Sequence, residues 1–375
     1  MEGPTPVSAL IHAATMVAAG VYMLVRLQVS MGTEAFTETA CTIIASVGAI
    51  TAVLAAIMAV QQDDIKRVLA YSTLSQLGYM VMAVGLLAGE AAMFHLYTHA
   101  WFKALLFLGA GAIIVCCHHE QDIWKMGGLS KRMPLTVLCF MMDTCALIAI
   151  PGFSGFFSKE AILDAALVKN PVFFWVGAGV AALTTFYMLR LCIVAFMGPA
   201  RDHGAEHAKE ASFTMALPLL VLAVMAIISG YGFIANDLVP FNGFHAHGFE
   251  LGLPFYVSMG SLAVGILLAL AVYGLGSRTK DPLAGNCISR ALRNRLYIDA
   301  LYDKVLIGGI QQVFANLIQF LDSFIIRGII CKGLVWLTVR IGYLCSWIQC
   351  GSLRAYTLVS GIGLLILVLL LAYQF

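Results

Sequence analysis

Residues 145–160 read CALIAIPGFSGFFSKE, an apolar run that a proline and two glycines interrupt before it carries a lysine beside a glutamate. Proline removes a backbone donor from a helix, and glycine loosens the helix around it. The stretch therefore predicts either a kinked helix or a discontinuous one. A discontinuous helix at membrane depth is tolerated only where its freed backbone groups are buried in protein or face a water-filled cavity.

The composition identifies the solvent of this chain. Hydrophobic residues make up 61% of its 375 residues and charged residues 11%, with a mean hydropathy of +0.91. Soluble domains carry about 25% charged residues, so this chain is too apolar to cover itself with polar surface and must lie in a lipid bilayer. The net charge of +2 gives no argument for a nucleic-acid partner. Most cysteines lie in apolar runs, where they behave as small hydrophobic residues.

Nine apolar runs are long enough to cross a bilayer, which takes about 20 residues each. They are 8–27, 40–60, 65–87, 90–115, 134–168, 171–197, 213–235, 254–276 and 354–374. Alternate loops collect nearly all the lysines and arginines. Because cytoplasmic loops are the basic ones, we place residues 1–7 in the cytoplasm and Phe375 in the periplasm. This assignment requires 134–168 to cross once.

The segment 290–350 differs from the spans because it carries a polar stripe at steps of mainly three and four. The stripe comprises Lys304, Gln312, Asn316, Gln319, Ser323 and Arg327. A helix of about 45 residues would be roughly 65–70 Å long, and as a span it would turn this stripe to lipid. We expect a long amphipathic helix in the membrane plane, followed by a final anchor at 351–375. The alternative is two helices broken at Gly308-Gly309 or Gly328.

Lys159 follows the Pro-Gly interruption, and we expect it in the first turn of the second half-helix. Burial and the dipole of that helix both favour the neutral amine, whereas the adjacent Glu160 favours the charged one. A lysine balanced in this way can gain and lose a proton. The alternative is that Lys159 extends to the membrane interface, and its distance from both ends of the span argues against this.

His95, His99 and Lys103 are spaced four apart on one span and therefore share one helix face. Histidine has a pKa near neutrality, so this trio, bridged by water, could form a proton wire. Each histidine alone could equally be a hydrogen-bonded packing residue, and the same two interpretations apply to His12.

Two other polar clusters favour a structural interpretation. Asp64, Lys66 and Arg67 begin a span and are typical of an interfacial anchor. Residues 116–120 (CCHHE) suggest a metal site, but zinc ligands are usually spaced by two or more residues, so we interpret them as a loop at a helix end. We expect no bound metal or cofactor in this chain.

Four stretches resemble the antiporter-like membrane subunits of the proton-pumping NADH–quinone oxidoreductase, respiratory complex I. They are residues 2–17 (EGPTPVSALIHAATMV), 64–79 (DIKRVLAYSTLSQLGY), 95–107 (HLYTHAWFKALLF) and 155–160 (GFFSKE). Similar cores occur in multisubunit sodium–proton antiporters and membrane-bound hydrogenases. Residues 297–304 (YIDALYDK) and the tail resemble the type of subunit that ends in a lateral helix and an anchor.

The resemblance implies a multi-pass protein of the bacterial inner membrane, an all-α polytopic transmembrane bundle with one discontinuous helix. It implies that Lys159 is a central proton-relay residue and raises the expectation for Lys66. The complete set of predicted site residues is Lys159, Glu160, Lys103, His99, His95, His12, Lys66 and Asp64. NADH, FMN, iron–sulfur clusters and quinone are expected in other subunits, and the lateral helix is expected beside neighbouring antiporter-like subunits.

Two departures from the family pattern matter. The EGPTP motif normally lies in mid-chain, so the preceding half is expected to be missing through a truncation, a gene split or a misassigned start. On that scheme 1–39 ends the first repeat, 40–197 is the second repeat, 198–289 adds further helices, and 290–350 and 351–375 are the lateral helix and the anchor. Asp143 stands where the family has a small or apolar residue, and either Lys159 or Lys103 could pair with it.

Three functions fit these features. The first is proton translocation driven by redox chemistry in other subunits. The second is a subunit of a sodium–proton antiporter or a membrane-bound hydrogenase. The third is a structural piece that braces its neighbours without pumping.

Overall fold

The computed structural model describes residues 3–33, 36–239, 251–274, 278, 280–349 and 351–373. These residues form an all-α polytopic bundle, and the only bridge of β type among them joins Asp64 to Asp122. The chain divides into two compact units, Met1–Leu296 and Tyr297–Phe375. The finer divisions at 39, 197 and 289 stay predictions. Phe375 and the ends of two predicted spans (275–276 and 374) lie outside the described residues.

The described residues of the first unit form fourteen α-helices. They are α1 (Thr5–Ala13), α2 (Met16–Met31), α3 (Glu38–Val60), α4 (Ile65–Gly85), α5 (Gly89–Cys116), α6 (Leu129–Arg132), α7 (Pro134–Leu147), α8 (Ser154–Lys169), α9 (Pro171–Phe196), α10 (His203–Glu206), α11 (Phe213–Ile228), α12 (Gly232–Leu238), α13 (Leu253–Tyr273) and α14 (Cys287–Arg293). Seven stretches of the described chain are long and apolar enough to cross a membrane, including Thr5–Met31 and, in the second unit, Leu353–Tyr373.

The predicted discontinuous helix is confirmed. Helix α7 ends at Leu147, and α8 begins at Ser154 after a loop in which Ala149 and Gly152 have positive φ angles of 62° and 94°. In a continuous helix the Leu147 carbonyl would accept a hydrogen bond from residue 151, but that residue is a proline and has no N–H. The break therefore leaves a free carbonyl in the interior of the bundle. Leu147 itself is 1% exposed.

The two half-helices meet tightly at their break, and α11 covers it. A Cβ at Gly155 would lie 2.0 Å from the Ala146 carbonyl oxygen, so only glycine fits there. The Ser154 hydroxyl donates to the Ala226 carbonyl of α11 at 2.6 Å, and the Tyr231 hydroxyl donates to the Gly152 carbonyl at 3.1 Å. The predicted span 213–235 is thus two pieces, since α11 ends at Ile228 and the short α12 follows.

A second break, which the sequence did not predict, divides the first span. Helix α1 ends at Ala13 and α2 begins at Met16, with Thr15 at φ −118° and ψ −95° between them. The uniform apolar character of 8–27 predicted one helix. Helix α1 packs against α5, so the carbonyls at its end face the middle of the bundle.

Helices α3 and α4 form the closest helix pair of the bundle because small residues line their contact. A Cβ at Gly48 would lie 2.3 Å from the Met82 backbone nitrogen, and a Cβ at Gly78 would lie 2.5 Å from that of Ala52. Close backbone approach through glycine and alanine is the usual way in which membrane helices pack, since lipid supplies no hydrophobic force between them.

The loops lie in two groups at opposite ends of the bundle. At one end the 61–64 loop pairs with the 121–123 loop, as Ile65 N–H donates to Gln121 O and Ile123 N–H donates to Asp63 O. At the other end residues 32–33, 86–90 and 167–169 line a common cavity. Because α7 starts at the first end and α8 finishes at the second, the segment 134–168 crosses once. The assignment of the ends to cytoplasm and periplasm stays a prediction.

A cluster of four charges ties three segments together at the basic end. The fully buried Arg190 of α9 contacts Asp63 at 3.0 Å and Asp281 at 3.3 Å, and Arg293 of α14 contacts the same two carboxylates at 3.2 and 3.4 Å. The Arg190 guanidinium also donates to the Gln62 carbonyl at 2.6 Å and lies 5.7 Å from the Trp124 ring. This arrangement fixes residues 281–293 against the 61–64 loop.

The second unit is a long helix followed by the α18 helix, Leu353–Tyr373. The long helix runs through α15 (Ile298–Leu301), a π-helical stretch Tyr302–Gln311, α16 (Gln312–Leu321), a second π-helical stretch Asp322–Cys331 and α17 (Lys332–Ile348). The alternative of a break at Gly308-Gly309 or Gly328 is therefore wrong: the helix continues and widens to π geometry at both sites. It begins at Ile298, because Arg295, Leu296 and Tyr297 all have positive φ angles.

We predict that Gly48→Ala destabilises the bundle, because the new methyl group must push α3 and α4 apart and overpacking costs about 1–3 kcal/mol. The measurement is the melting temperature of the protein in detergent. The control is Gly179→Ala on α9, where a Cβ meets no atom within 4 Å. Equal melting temperatures for the two variants would contradict the close contact of α3 with α4.

We also predict that Arg190→Met lowers the free energy of unfolding by about 3–5 kcal/mol, since it removes a buried cation that two carboxylates share. Arg67→Met is the control, because the Arg67–Asp64 pair is 44% and 27% exposed and an exposed pair contributes about 0–1 kcal/mol. Adding Asp281→Asn to Arg190→Met should recover part of the loss. Similar losses for the Arg190 and Arg67 variants would argue against the cluster.

Candidate functional site

Lys159 lies against the break between α7 and α8. It is the sixth residue of α8, so the prediction of a first-turn position was wrong, and the dipole of α8 has little effect there. Helical side chains lean towards the helix N-terminus, and the Lys159 amine reaches back to donate to the Leu147 carbonyl at 2.8 Å. The carbonyl that Pro151 leaves free is therefore the acceptor for this lysine. The carbonyl end of α7 stabilises the protonated amine.

The surroundings of Lys159 contain little charge. The side chain is 1% exposed, and its amine lies 5.9 Å from the centre of the Tyr79 ring. Among the described residues it has no ion pair with a carboxylate. Glu160, which we expected to favour the charged amine, does not contact it in the described structure. Neighbouring residues of a helix point about 100° apart, so the two side chains face different surroundings.

Glu160 instead faces a cavity of about 880 Å³ at the less basic end of the bundle. The cavity is also lined by Glu90, Asp164 and Lys169, by the buried Gln28 and by apolar residues of α5 and α8. Glu160 is half-buried at its wall. The α8 helix thus carries a buried lysine on one side and a carboxylate that reaches an open cavity on the next.

His95 lies at the centre of a buried polar chain that joins three helices. Its Nδ1 is 2.9 Å from the Ser158 hydroxyl of α8, and its Nε2 is 3.1 Å from the Gln76 side-chain oxygen of α4. The Ser158 hydroxyl is also 2.7 Å from that of Thr98. Because Ser158 precedes Lys159, this chain runs directly to the residue beside the buried lysine.

Lys103 has a separate hydroxyl partner. Its amine donates to the Ser72 hydroxyl of α4 at 2.7 Å, and Tyr187 of α9 donates to the same oxygen at 2.8 Å. All three side chains are fully buried. Lys103, like Lys159, has no ion-pair partner within 4.0 Å in the described part of the chain.

His99, the second histidine of α5, lies against the break between α1 and α2. His99 Nδ1 is 3.3 Å from the carbonyl oxygen of Ala13, the last residue of α1, and the His99 ring is 1% exposed. Its centroid lies 6.3 Å from that of His95. Each helix break thus presents the last carbonyl of a half-helix to a buried ionisable side chain. His12, one residue before Ala13, is half-buried and stacks on Phe107 at 5.4 Å.

The two predicted residues at the start of α4 occupy the basic end of the bundle. Asp64 is the N-cap of α4 and accepts from the backbone N–H of Lys66 at 2.8 Å and of Arg67 at 3.3 Å. Asp64 also lines a cavity of about 370 Å³ with Asp63, Glu120 and Asp122. Burial raises the pKa of the Asp122 carboxyl above its usual range, against the hydrogen bond from the Trp124 N–H. Lys66 is 6% exposed.

The structure adds residues that the motif analysis did not single out. Ser72 of α4 and Tyr187 of α9 form one hydrogen-bonded group with Lys103, and Gln76 of α4 and Ser158 of α8 form a second group with His95. A signal for two of them was present, since Ser72 and Gln76 lie one turn apart in an apolar span. For Ser158 and Tyr187 only the packing of separate helices reveals the role.

No three His, Cys, Asp or Glu side chains in the described ranges converge as metal ligands. In the CCHHE stretch, α5 ends at Cys116, and His118 and His119 both have positive φ angles. This stretch is the loop at the end of a helix.

The sequence of this chain is similar to those of known membrane proteins. Residues 1–185 match the family model of the NADH:quinone oxidoreductase/Mrp antiporter transmembrane region. NADH-quinone oxidoreductase subunit L of Escherichia coli is 44% identical over 82% of this chain and 50% of its own length. The Pseudomonas aeruginosa subunit of the same name is 40% identical over 99% of this chain and 60% of its own length.

A solved structure extends the likeness to the fold. The Mrp complex of a Dietzia species matches 84% of this chain and 36% of its own chain, with a TM-score of 0.62 and 26% identity. The chain thus spans about half the length of the curated relatives that it matches. Sequence, fold and the breaks that hold Lys159 and His99 lead to one assignment: the chain belongs to the antiporter-like membrane subunits of the NADH:quinone oxidoreductase and Mrp antiporter family.

Proposed function

We propose that this chain moves protons across a bacterial inner membrane as a subunit of an NADH:quinone oxidoreductase. The observation that carries the proposal is the set of four ionisable side chains, Lys103, His95, His99 and Lys159, that are at most 1% exposed inside an apolar bundle. A lysine at the bilayer centre costs on the order of 2.5–3.5 kcal/mol on insertion scales. A bundle that keeps two of them without a contacting carboxylate uses them for something other than stability.

The hydrogen-bond partners of these groups suit proton transfer. Hydroxyl and amide side chains contact Lys103 and His95 in two neighbouring groups, and a hydroxyl can accept one proton while it donates another. Two buried atoms on this route, His99 Nε2 and the Gln76 side-chain nitrogen, have no hydrogen-bond partner among the described residues. Buried polar atoms of this kind are ordinarily satisfied by water, so we infer a hydrated route with water between the side chains.

The route leads towards the large cavity. Lys103 and its partners lie on α4, α5 and α9, the His95–Ser158 contact passes to α8, and Glu160 on α8 reaches the cavity. We place this cavity, and the C-terminus, on the periplasmic side. His12, Lys66 and Asp64 lie off the hydrogen-bonded chain, and we assign them supporting roles in this proposal.

The names of the relatives indicate which reaction would drive proton transfer. They are subunits of NADH-quinone oxidoreductases, so we propose that other subunits bind NADH, FMN, iron–sulfur clusters and quinone and carry out the redox chemistry. The helix Ile298–Ile348 exposes apolar side chains along its length. We propose that it lies in the membrane plane beside neighbouring antiporter-like subunits, which with lipid would cover this surface.

A second function is favoured by the likeness to the Mrp complex. On that alternative the chain belongs to a sodium–proton antiporter, and the same buried residues exchange sodium for protons. Antiport predicts sodium-dependent proton exchange without NADH. Redox-driven pumping predicts acidification that requires NADH and persists without sodium.

We predict that Lys159→Met lowers NADH-driven acidification of inverted membrane vesicles by about tenfold or more, since the variant removes a proton-transfer group. NADH oxidation should continue or slow. The control is Lys169→Met, which removes an exposed lysine from the other end of the same helix. An unchanged gradient per NADH in Lys159→Met would sink the pumping function for this chain.

Ser72→Ala should also weaken acidification, because it removes the one hydrogen-bond acceptor that Lys103 has among the described residues and a partner of Tyr187. Ser75→Ala is the matched control: Ser75 is equally buried on the same helix but donates to the Ala52 carbonyl of α3. The initial rate of acidification is compared at equal amounts of assembled complex. Equal losses in both variants would mean that the Ser72 effect is structural.

A further inference from the structure

Asp143 of α7 is a fully buried carboxylate that the proposed route does not use. Its side chain is 0% exposed, and neither oxygen has a hydrogen-bond partner in the described structure. An unpaired ionised carboxylate in an apolar interior is among the most costly groups that a protein can bury. Such a group is either neutral or balanced by a nearby cation.

The charged groups around Asp143 identify its cation. Of the helices packed against α7, α5 contributes Lys103, whose charge acts on Asp143, and the carboxylate approaches the backbone of Leu106 one turn further on. Helix α8 contributes Lys159, whose amine is bound to the Leu147 carbonyl, and the short α6 contributes Lys131 and Arg132 at the basic end. Helix α9 contributes the Cys192 thiol, which contacts Thr144, and α11 carries no titratable residue. Cys139 and Cys145 are the titratable groups closest to Asp143 on α7 itself. The sequence left Lys159 and Lys103 as possible partners of Asp143, and we therefore assign Lys103.

The position of Asp143 on α7 connects it to the second lysine as well. Asp143 and Leu147 are four residues apart, so they share one face of α7 and lie about 6 Å apart along the axis. Leu147 provides the carbonyl that binds the Lys159 amine. The charge of Lys159 also acts on Lys103. Asp143 thus lies on the face of α7 that carries the carbonyl bound to Lys159.

We propose that Asp143 is a proton-carrying residue that exchanges a proton with Lys103 and passes it towards Lys159. This inference rests on the proposed function and adds a carboxyl site to it. Because no ion pair within 4.0 Å joins the two side chains in the described structure, we infer a bridging water: an N–H bond of the Lys103 ammonium breaks, the water takes up that proton and releases another, and an O–H bond forms on Asp143. A charged pair becomes a neutral amine and a neutral acid, and the total charge is unchanged.

Coulomb attraction explains why the exchange is feasible. In a low-dielectric interior one isolated charge is costly, but two opposite charges stabilise each other, so Lys103 and Asp143 are best both charged or both neutral. Transfer between them connects these two states directly. Without a nearby carboxylate, the proton of Lys103 would have to move to a group that does not become neutral when it accepts the proton.

The test uses the assembled complex in inverted vesicles with Asp143→Asn, which keeps the shape of the side chain and removes its proton site. We expect the initial rate of NADH-driven acidification to fall by about tenfold. We expect no further loss when Asp143→Asn is added to Lys103→Met, because both variants interrupt one step. Thr144→Val is the control, since it alters an adjacent buried side chain that contacts Cys192.

Infrared difference spectra give a second readout. On NADH addition the native complex should show a carboxylic-acid C=O band that is absent in Asp143→Asn. A native rate of acidification in Asp143→Asn, or losses that add in the double variant, would overturn the proposal. If Lys159→Met impairs pumping while Asp143→Asn does not, only the role of Asp143 fails; if Lys159→Met pumps normally, the proposed function itself fails.

Assembly of the complex gives a third test of the proposal. Asp143→Asn leaves Lys103 as an unbalanced buried charge, so this variant could fail to assemble. Charge coupling then predicts that the double variant Lys103→Met/Asp143→Asn assembles, because it removes both charges. Failure of the double variant to assemble where Lys103→Met alone does so would overturn the coupling.

Discussion

The hydrogen bond from the Lys159 amine to the Leu147 carbonyl is the interaction on which the site depends. It exists because Pro151 has no N–H to occupy that carbonyl and because Gly155 lets α8 start within van der Waals contact of the end of α7. The same break turns Ser158 towards His95 and leaves Glu160 at the cavity wall. One missing backbone donor thus determines where a buried charge can be held in the middle of the bundle.

The break between α1 and α2 uses the same device with a different side chain. A half-helix ends inside the bundle, its last carbonyl has no partner within its own helix, and a histidine of α5 occupies it. Both breaks present the negative end of a helix dipole to a group that can carry a positive charge. The free energy that interrupting a helix in lipid would cost is offset because the surrounding protein and the ionisable side chains satisfy the freed groups.

Away from the Lys159 site, helix packing and a cluster of ion pairs hold the bundle together. The glycine-lined contact of α3 with α4 holds Ser72 and Gln76 in place, and the Arg190 cluster fixes the segment that precedes the long helix. Three residues with positive φ angles, from Arg295 to Tyr297, separate that segment from the helix beginning at Ile298. The π-helical stretches at Gly308-Gly309 and Gly328 show how glycines at this spacing are absorbed without a break.

The sequence by itself determined the solvent of this protein, its main spans, the break at Pro151 and the identity of the buried lysines and histidines. These follow from local chemistry: apolar runs need lipid, proline lacks a donor, and charged residues in such runs stand out. It did not determine the break after Ala13, where no proline or glycine marks the change. Nor did it determine that Lys159 binds a carbonyl and not Glu160, or that Asp143 is fully buried with no hydrogen-bond partner among the described residues. Those features depend on which helices pack together, and packing arises from contacts between residues distant in the chain, such as Gly48 with Met82 and Lys103 with Ser72, whose pairing no single segment encodes.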